Sequence, residues 1–204
     1  MNDDAAQPDS RHHDAPAIPP ESDRMPVNMV PAPHPATLPI DKLGEGCDLR
    51  TQRRSGPGGQ HRNKTSSGVF LYYPATGTTS EATERRSQAD NRLVALGRLR
   101  FRLAVEVRTP SVLDGSAENE PSQEQELRER YHNHPLKLND RNEDKPALVA
   151  LLLNDLHAAG GQPSAVASHW KASTSSIIRL LKSHPPAFAL LNRIRDHHGR
   201  RALK

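Results

Sequence analysis

The run Gly56-Pro57-Gly58-Gly59 constrains this chain more than any other four residues. Glycine accepts positive φ at little steric cost, and proline fixes its own φ while removing a backbone donor. The run therefore suits neither a helix nor a paired strand, and reads as a tight turn whose backbone another molecule can approach. β-forming residues lie on both sides. Cys47 to Arg54 alternates as a strand entering the turn, and Gly68-Val69-Phe70-Leu71-Tyr72-Tyr73 reads as a second strand. Pro74-Ala75-Thr76-Gly77 has turn chemistry, so Thr78 to Thr83 is expected to return antiparallel as a third. From Glu84 to Val107, Ala89, Leu93, Leu96, Leu99 and Leu103 recur at three- and four-residue steps, one apolar face of a long helix. With a short helical turn at Asp41 to Gly46, residues 38–108 are expected to form a small α+β domain, an antiparallel sheet packed on one long helix.

The turn carries chemistry as well as geometry. Gln60 follows the glycines, with an amide that donates and accepts but cannot ionise. Arg53, Arg54, Arg62 and Lys64 surround it, a cation set suited to a phosphate-rich target. A lone Gly-Gly-Gln would read as an ordinary surface loop. Here the pattern extends through Ser55-Gly56-Pro57-Gly58-Gly59-Gln60-His61, Asn63-Lys64-Thr65 and Ser67-Gly68-Val69, and resumes at Pro74-Ala75-Thr76-Gly77 and Glu84-Arg85-Arg86-Ser87-Gln88-Ala89-Asp90-Asn91.

On those residues the chain resembles the class I peptide-chain release factors, over about residues 38–107. The resemblance implies a peptidyl-tRNA ester hydrolase that works inside the ribosomal peptidyl-transferase centre. It gives the Gln60 backbone N–H the task of facing the developing oxyanion or leaving 3′ oxygen. The Gln60 side chain would position water, and Gly58 and Gly59 would set the backbone. Such a fixed dipole contributes more in a dry site than in water, and holding water at the ester removes much of the entropic barrier. The resemblance also implies RNA contacts by Arg53, Arg54, Ser55, His61, Arg62, Asn63 and Lys64. Arg85, Arg86, Ser87, Gln88 and Asn91 would form a second rRNA patch and a brace for the loop. Helix capping by Ser87 and a solvated basic turn account for part of the same pattern. Arg62 departs from the family, which commonly has a small or apolar residue there. Most of the catalytic surroundings would be rRNA, consistent with the absence from the sequence of a Ser/His/Asp set, of metal-spaced ligands and of a nucleotide-type phosphate loop. No cofactor or metal is expected, and His12-His13 and His197-His198 read as solvated.

Charge is distributed unevenly. Residues 48–108 hold 12 Lys/Arg against 5 Asp/Glu, whereas residues 1–47 hold 3 against 8. The basic block coincides with the glycine turn, as an RNA-facing surface should. Only 34% of residues are hydrophobic and 3% aromatic, a composition that points to an unfolded portion. The Pro- and Asp-rich residues 1–37 are the expected disordered lead. A single cysteine, Cys47, excludes an internal disulfide framework and reads as a small core residue. No apolar run reaches membrane-spanning length, and the acidic start resembles neither a secretory signal nor a transit peptide. A cytoplasmic monomer is expected.

Residues 109–144 are polar and acidic and read as a linker, with a short helix from Gln123 to His132. From Lys145 the composition changes: residues 145–204 hold 9 Lys/Arg against 2 Asp/Glu. Leu148, Leu151, Leu152, Leu156 and Ala159 mark one apolar helix face, ended by Gly160-Gly161. A second helix spans Pro163 to Trp170. A third opens on Ser173-Thr174-Ser175-Ser176, Pro185-Pro186 breaks the chain, and Phe188 to Ile194 forms a fourth. The order resembles a helix-turn-helix, and a plain helical bundle explains the same spacing. In the first reading Ser173, Thr174, Ser175, Arg179 and Lys182 face a nucleic-acid backbone, with Arg200, Arg201 and the rest of the basic tail as an anchor.

Only about 37 residues precede the expected domain, with no candidate stop-codon-reading loop among them. The closer resemblance is to short, codon-independent members that rescue stalled ribosomes, although those with a basic disordered tail differ from the helical module here. The expected function is ribosome-dependent hydrolysis of peptidyl-tRNA without stop-codon recognition. The alternative is a non-catalytic ribosome- or nucleic-acid-binding factor that uses the C-terminal helices.

Overall fold

The computed structural model describes residues 18–53, 67–115 and 120–204. Strands β2 (Asp48–Gln52), β3 (Gly68–Tyr73) and β4 (Thr78–Ala82) form an antiparallel sheet in the order β2-β3-β4. A second, two-residue ladder pairs β1 (Asn28–Met29) in parallel with β5 (Val107–Arg108). Short helix α1 (Ile40–Glu45) precedes β2, and long helix α2 (Gln88–Glu106) follows β4. This is the α+β architecture expected, a small antiparallel sheet packed on one long helix.

Alternation along β3 and β4 sends Val69, Leu71, Thr78, Ser80 and Ala82 toward α2, while Tyr72, Thr79 and Glu81 face outward. Ser87 caps α2 by accepting the Asp90 N–H, as expected from its place before the apolar repeat. The buried face of α2 is Asn91, Ala95, Leu96, Leu99, Leu103 and Ala104. Ala89 and Leu93 are exposed instead of buried, Leu93 by 58%. The sheet and the helical layer clamp the face centred on Ala95 and Leu99, and that rotation turns both residues out to solvent.

Four more helices follow the short α3 (Ser122–Tyr131): α4 (Lys145–Ala158), α5 (Pro163–Trp170), α6 (Thr174–Lys182) and α7 (Pro185–His197). Every residue of α4 is buried, so it lacks the single apolar face read from its leucines. A helix apolar nearly all round belongs in an interior, and α2, α3, α5, α6 and α7 all contact it. Pro185-Pro186, expected to break the chain, instead occupies the first turn of α7, where a missing N–H costs nothing.

One contiguous core runs from Leu43, Val69 and Leu71 through α2 to Leu191 and Ile194 in α7. The α+β part and the C-terminal helices are thus packed together across α2 and α4. Residues 18–37 depart from the disordered lead expected of them. His34 is buried, donates its backbone N–H to Glu124 Oε1 at 2.5 Å and sets its Nε2 3.1 Å from the Val107 carbonyl. His157 on α4 reaches the Met25 carbonyl at 2.7 Å, and Arg24 pairs with Asp114 at 3.0 Å. Residues 120–144 also pack instead of linking loosely. Arg128 forks onto Asp155, and Leu127 and Leu136 join the core, while Thr109, earlier in the expected linker, exchanges two hydrogen bonds with Asn154. Both segments are ordered for the same reason. The central helix carries buried polar groups at Asn154, Asp155 and His157, and buried polar groups require partners.

Candidate functional site

The β2–β3 ladder stays in register to its last pair, Gln52 opposite Gly68. A Cβ on Gly68 would lie 3.0 Å from the Gln52 carbonyl oxygen and 3.2 Å from Thr83 Cγ2, so a larger residue fits only if these neighbours shift by a few tenths of an ångström. The described chain leaves the sheet at Arg53 and re-enters at Ser67. Of the expected site residues, Arg54, Ser55, Gly58, Gly59, Gln60, His61, Arg62, Asn63 and Lys64 lie outside the described residues.

The ends of that segment, and what holds them, are visible. Asn91 is fully buried in the first turns of α2. Its Nδ2 donates to the Ser67 carbonyl at 2.6 Å and to the Arg85 carbonyl at 2.9 Å, and its Oδ1 accepts the Arg85 N–H at 2.9 Å. One amide thereby joins the start of β3, the turn after β4 and the long helix. Asn91 was expected at an RNA surface. Its burial corrects that expectation, and the signal was a lone amide on the apolar i, i+4, i+8 stripe with Ala95 and Leu99.

The turn after β4 is fixed from its other side as well. Arg98 pairs with Glu84 at 2.5 Å and donates to the Glu81 carbonyl at 2.7 Å. Glu84 accepts the Thr83 N–H at 2.9 Å, and backbone N–H donors together with Arg98 hold its carboxyl below the usual range. Arg85 and Arg86 are exposed, with no ion-pair partner among the described residues, and Gln88 is exposed beside them. Ser87 spends its hydroxyl on the Asp90 N–H. Arg53 is exposed at the end of β2.

The outer face of the sheet holds an open depression of about 1160 Å³ lined by Arg50, Phe70, Tyr72, Glu81 and Arg102 among others. Asp48 and Glu81 balance the two arginines there, so this face is not the cationic surface that a phosphate backbone favours. Cys47 donates its thiol to the Leu43 carbonyl at 3.1 Å, and burial raises its pKa, the opposite of an activated nucleophile. No cluster of three His, Cys, Asp or Glu suited to a metal occurs among the described residues. No helix among them is long and apolar enough to cross a membrane.

In the C-terminal helices Ser173 caps α6 by accepting the Ser176 N–H at 3.1 Å. Ser173, Ser175, Arg179 and Lys182 are exposed on α6, and Lys182 lies 5.4 Å from the Phe188 ring centroid. Trp170 is fully buried. Arg200 is partly spent inside the fold, donating Nε to the Gly160 carbonyl at 2.9 Å, whereas the Arg201 side chain is exposed.

The family model of the RF-1 domain matches residues 44–145, half of the chain, from within α1 to the first residue of α4. The chain belongs to the class I peptide chain release factor family. It is similar to "Peptide chain release factor 1-like, mitochondrial" of Rattus norvegicus, 43% identical over 81 residues that cover 39% of this chain and 21% of the relative. It is 42% identical over 67 residues to "Peptide chain release factor 2" of Lactiplantibacillus plantarum, covering 33% of this chain and 18% of that protein. "Peptide chain release factor 1" of Symbiobacterium thermophilum matches at 34% over 102 residues, 50% of this chain and 26% of the relative. The chain thus spans about a fifth to a quarter of the release factors it matches. Within this release-factor chain the matched segment contains the sheet, α2, the Asn91 contacts and the acidic α3, while α5 to α7 lie beyond it.

Proposed function

We propose that this chain hydrolyses the peptidyl-tRNA ester inside the ribosome and does so without reading a stop codon, as a factor that frees stalled ribosomes. The observation that carries the reading is the Gly58-Gly59-Gln60 sequence set between two strands paired to their last residues, within a release-factor domain. Two strands in fixed register with Ser67 tied to Asn91 supply a rigid base, and catalysis by a positioned dipole depends on such a base. In this reading the Gln60 backbone N–H meets developing charge on the ester. Arg53, Arg54, Arg62, Lys64, Arg85 and Arg86 meet rRNA and tRNA phosphates.

The C-terminal helices act as the anchor in the same reading. Arg179 and Lys182 form the exposed basic edge of α6, with Arg201 available in the tail, while Asp155, one of two acids in residues 145–204, is buried and neutralised by Arg128. That leaves an exterior of predominantly positive charge, suited to an RNA backbone. The alternative, a non-catalytic binding factor, draws on the same basic helices.

The test is peptide release from purified ribosomes that carry peptidyl-tRNA, with the A site holding a stop codon, a sense codon or a truncated message. Release that needs Gln60 and not a stop codon is the expected result. Gly59→Ala, which restricts the backbone that presents the Gln60 N–H, is expected to slow it by about 10²–10³-fold, as for loss of one oxyanion donor, and Gln60→Ala, which keeps that N–H but removes the water-positioning amide, is expected to slow it less. Wild-type release by both variants sinks the hydrolase reading, and release restricted to stop codons sinks the rescue reading.

A further inference from the structure

We infer that Asn91 is a positioning residue, a buried clamp that sets where the segment containing Gln60 re-enters the sheet. The inference rests on the hydrolase reading for its consequence and on geometry for its existence. Asn91 touches no solvent and spends three hydrogen bonds on two backbone segments distant in sequence, Ser67 and Arg85. Its bond to Ser67 lies one residue beyond the last β2–β3 pair, where the ladder no longer constrains the chain. Its two bonds to Arg85 occupy both backbone polar groups of that residue in the way a neighbouring strand would. The same amide therefore fixes the spacing between the start of β3 and the exposed Arg85-Arg86 pair.

Chemistry restricts what can stand there. The site needs two donors and one acceptor on a short planar group, which Asn supplies. Aspartate is isosteric but would aim a second oxygen at the Ser67 and Arg85 carbonyls, and leucine would remove the side-chain partner of three backbone groups. Gly68, the next residue, is also tightly placed, since a Cβ there would lie 3.0 Å from the Gln52 carbonyl. A clamp and a close contact thus meet at the re-entry point of the segment.

The experiment compares wild type, Asn91→Asp, Asn91→Ala, Gln60→Ala and the core control Ile194→Ala, chosen because Ile194 is buried in α7 away from the sheet. Amide hydrogen exchange on the free protein and ribosome-stimulated peptide release are measured on each. The expected result for both Asn91 variants is faster exchange confined to peptides containing Ser67-Gly68 and Arg85 to Ser87. Release should slow by about 10- to 100-fold in maximal rate, with the half-saturating ribosome concentration little changed, as for loss of alignment and not of binding. Ile194→Ala is expected to loosen α4 to α7 without that rate effect. Unchanged exchange at Ser67-Gly68 overturns the clamp. Locally faster exchange with wild-type release overturns its role in positioning. A rate loss matched by Ile194→Ala reduces Asn91 to general stability and overturns it too. If wild type gives no Gln60-dependent release, the hydrolase reading fails and the exchange data alone decide whether the clamp exists.

Discussion

Trp170 donates its indole N–H to Asp155 at 2.6 Å, fastening α5 to the central helix, and both residues are fully buried. The same carboxylate accepts a fork from Arg128 on α3 and the hydroxyl of Ser111, so three chain segments converge on one charge. The Arg128 guanidinium also lies over the Trp170 ring, 4.8 Å from its centroid. Without Asp155, Arg128 keeps Glu120 at 2.5 Å, but the Ser111 hydroxyl, the Trp170 indole N–H and the rest of the guanidinium lose their partner in the interior. Asp155→Ala is expected to cost about 3–5 kcal/mol in urea unfolding. The double variant Asp155→Leu, Arg128→Met should cost less than the sum of its single changes, and strict additivity would show that the pair is not coupled.

Acid should weaken the fold, and His34 should dominate the effect. Burial, with a smaller contribution from the nearby Arg108 cation, lowers its pKa to about 3. Unfolded, the ring takes up its proton near the ordinary value of 6.5. Between those values the unfolded chain binds the extra proton, so stability rises with pH there and falls as pH drops from 6.5, by up to about 1.4 kcal/mol per unit from this one group. His157, His169 and His184 are also lowered, chiefly by burial, and add in the same direction. Glu124, which accepts the His34 N–H, is raised by burial and opposes the trend near the carboxylate range. Denaturant unfolding at pH 7 and pH 5.5 should show the loss for wild type and a smaller one for His34→Gln. An equal slope for both would assign the effect elsewhere.

Gly161 should not tolerate a side chain. It ends α4 at φ +72°, where its N–H reaches the Leu156 carbonyl at 2.7 Å and its carbonyl accepts from Arg195 at 2.6 Å. An added Cβ would meet Arg195 Cγ at 2.6 Å and the Arg195 backbone nitrogen at 3.0 Å. Gly161→Ala is expected to lower stability by about 2 kcal/mol or more, the combined cost of the left-handed backbone and the contact. Thermal unfolding checks this, with Gly199→Ala as the comparison, since nothing lies within 4 Å of its Cβ position.

The basic edge of α6 should read out as salt dependence. Arg179→Ala with Lys182→Ala is expected to weaken ribosome binding and to flatten the slope of log K against log salt by about 1–2, roughly one unit for each phosphate that is no longer neutralised. Filter binding between 50 and 200 mM salt, roughly the range over which such charge pairing is felt, measures it. An unchanged slope would remove α6 from the interface.

The sheet and the α2 cap were legible in the sequence, because each depends on interactions between residues close in the chain. Strand alternation, the Pro74-to-Gly77 turn chemistry and the Ser87 cap are local. Residues 55–65 carried the family resemblance, since they are chemically unusual as a set. Pairings between residues distant in sequence emerged only when the chain was folded. Composition marked residues 18–37 as unstructured, yet Met25 and His34 supply partners that buried groups on α4, α3 and β5 need. The acidic stretch after β5 read as a linker because nothing local reveals that Glu124 and Arg128 face His34 and Asp155. Asn91 gave the same lesson within the site. A polar residue beside arginines looks like surface, and only the fold reveals the two carbonyls and the N–H that its amide holds in place.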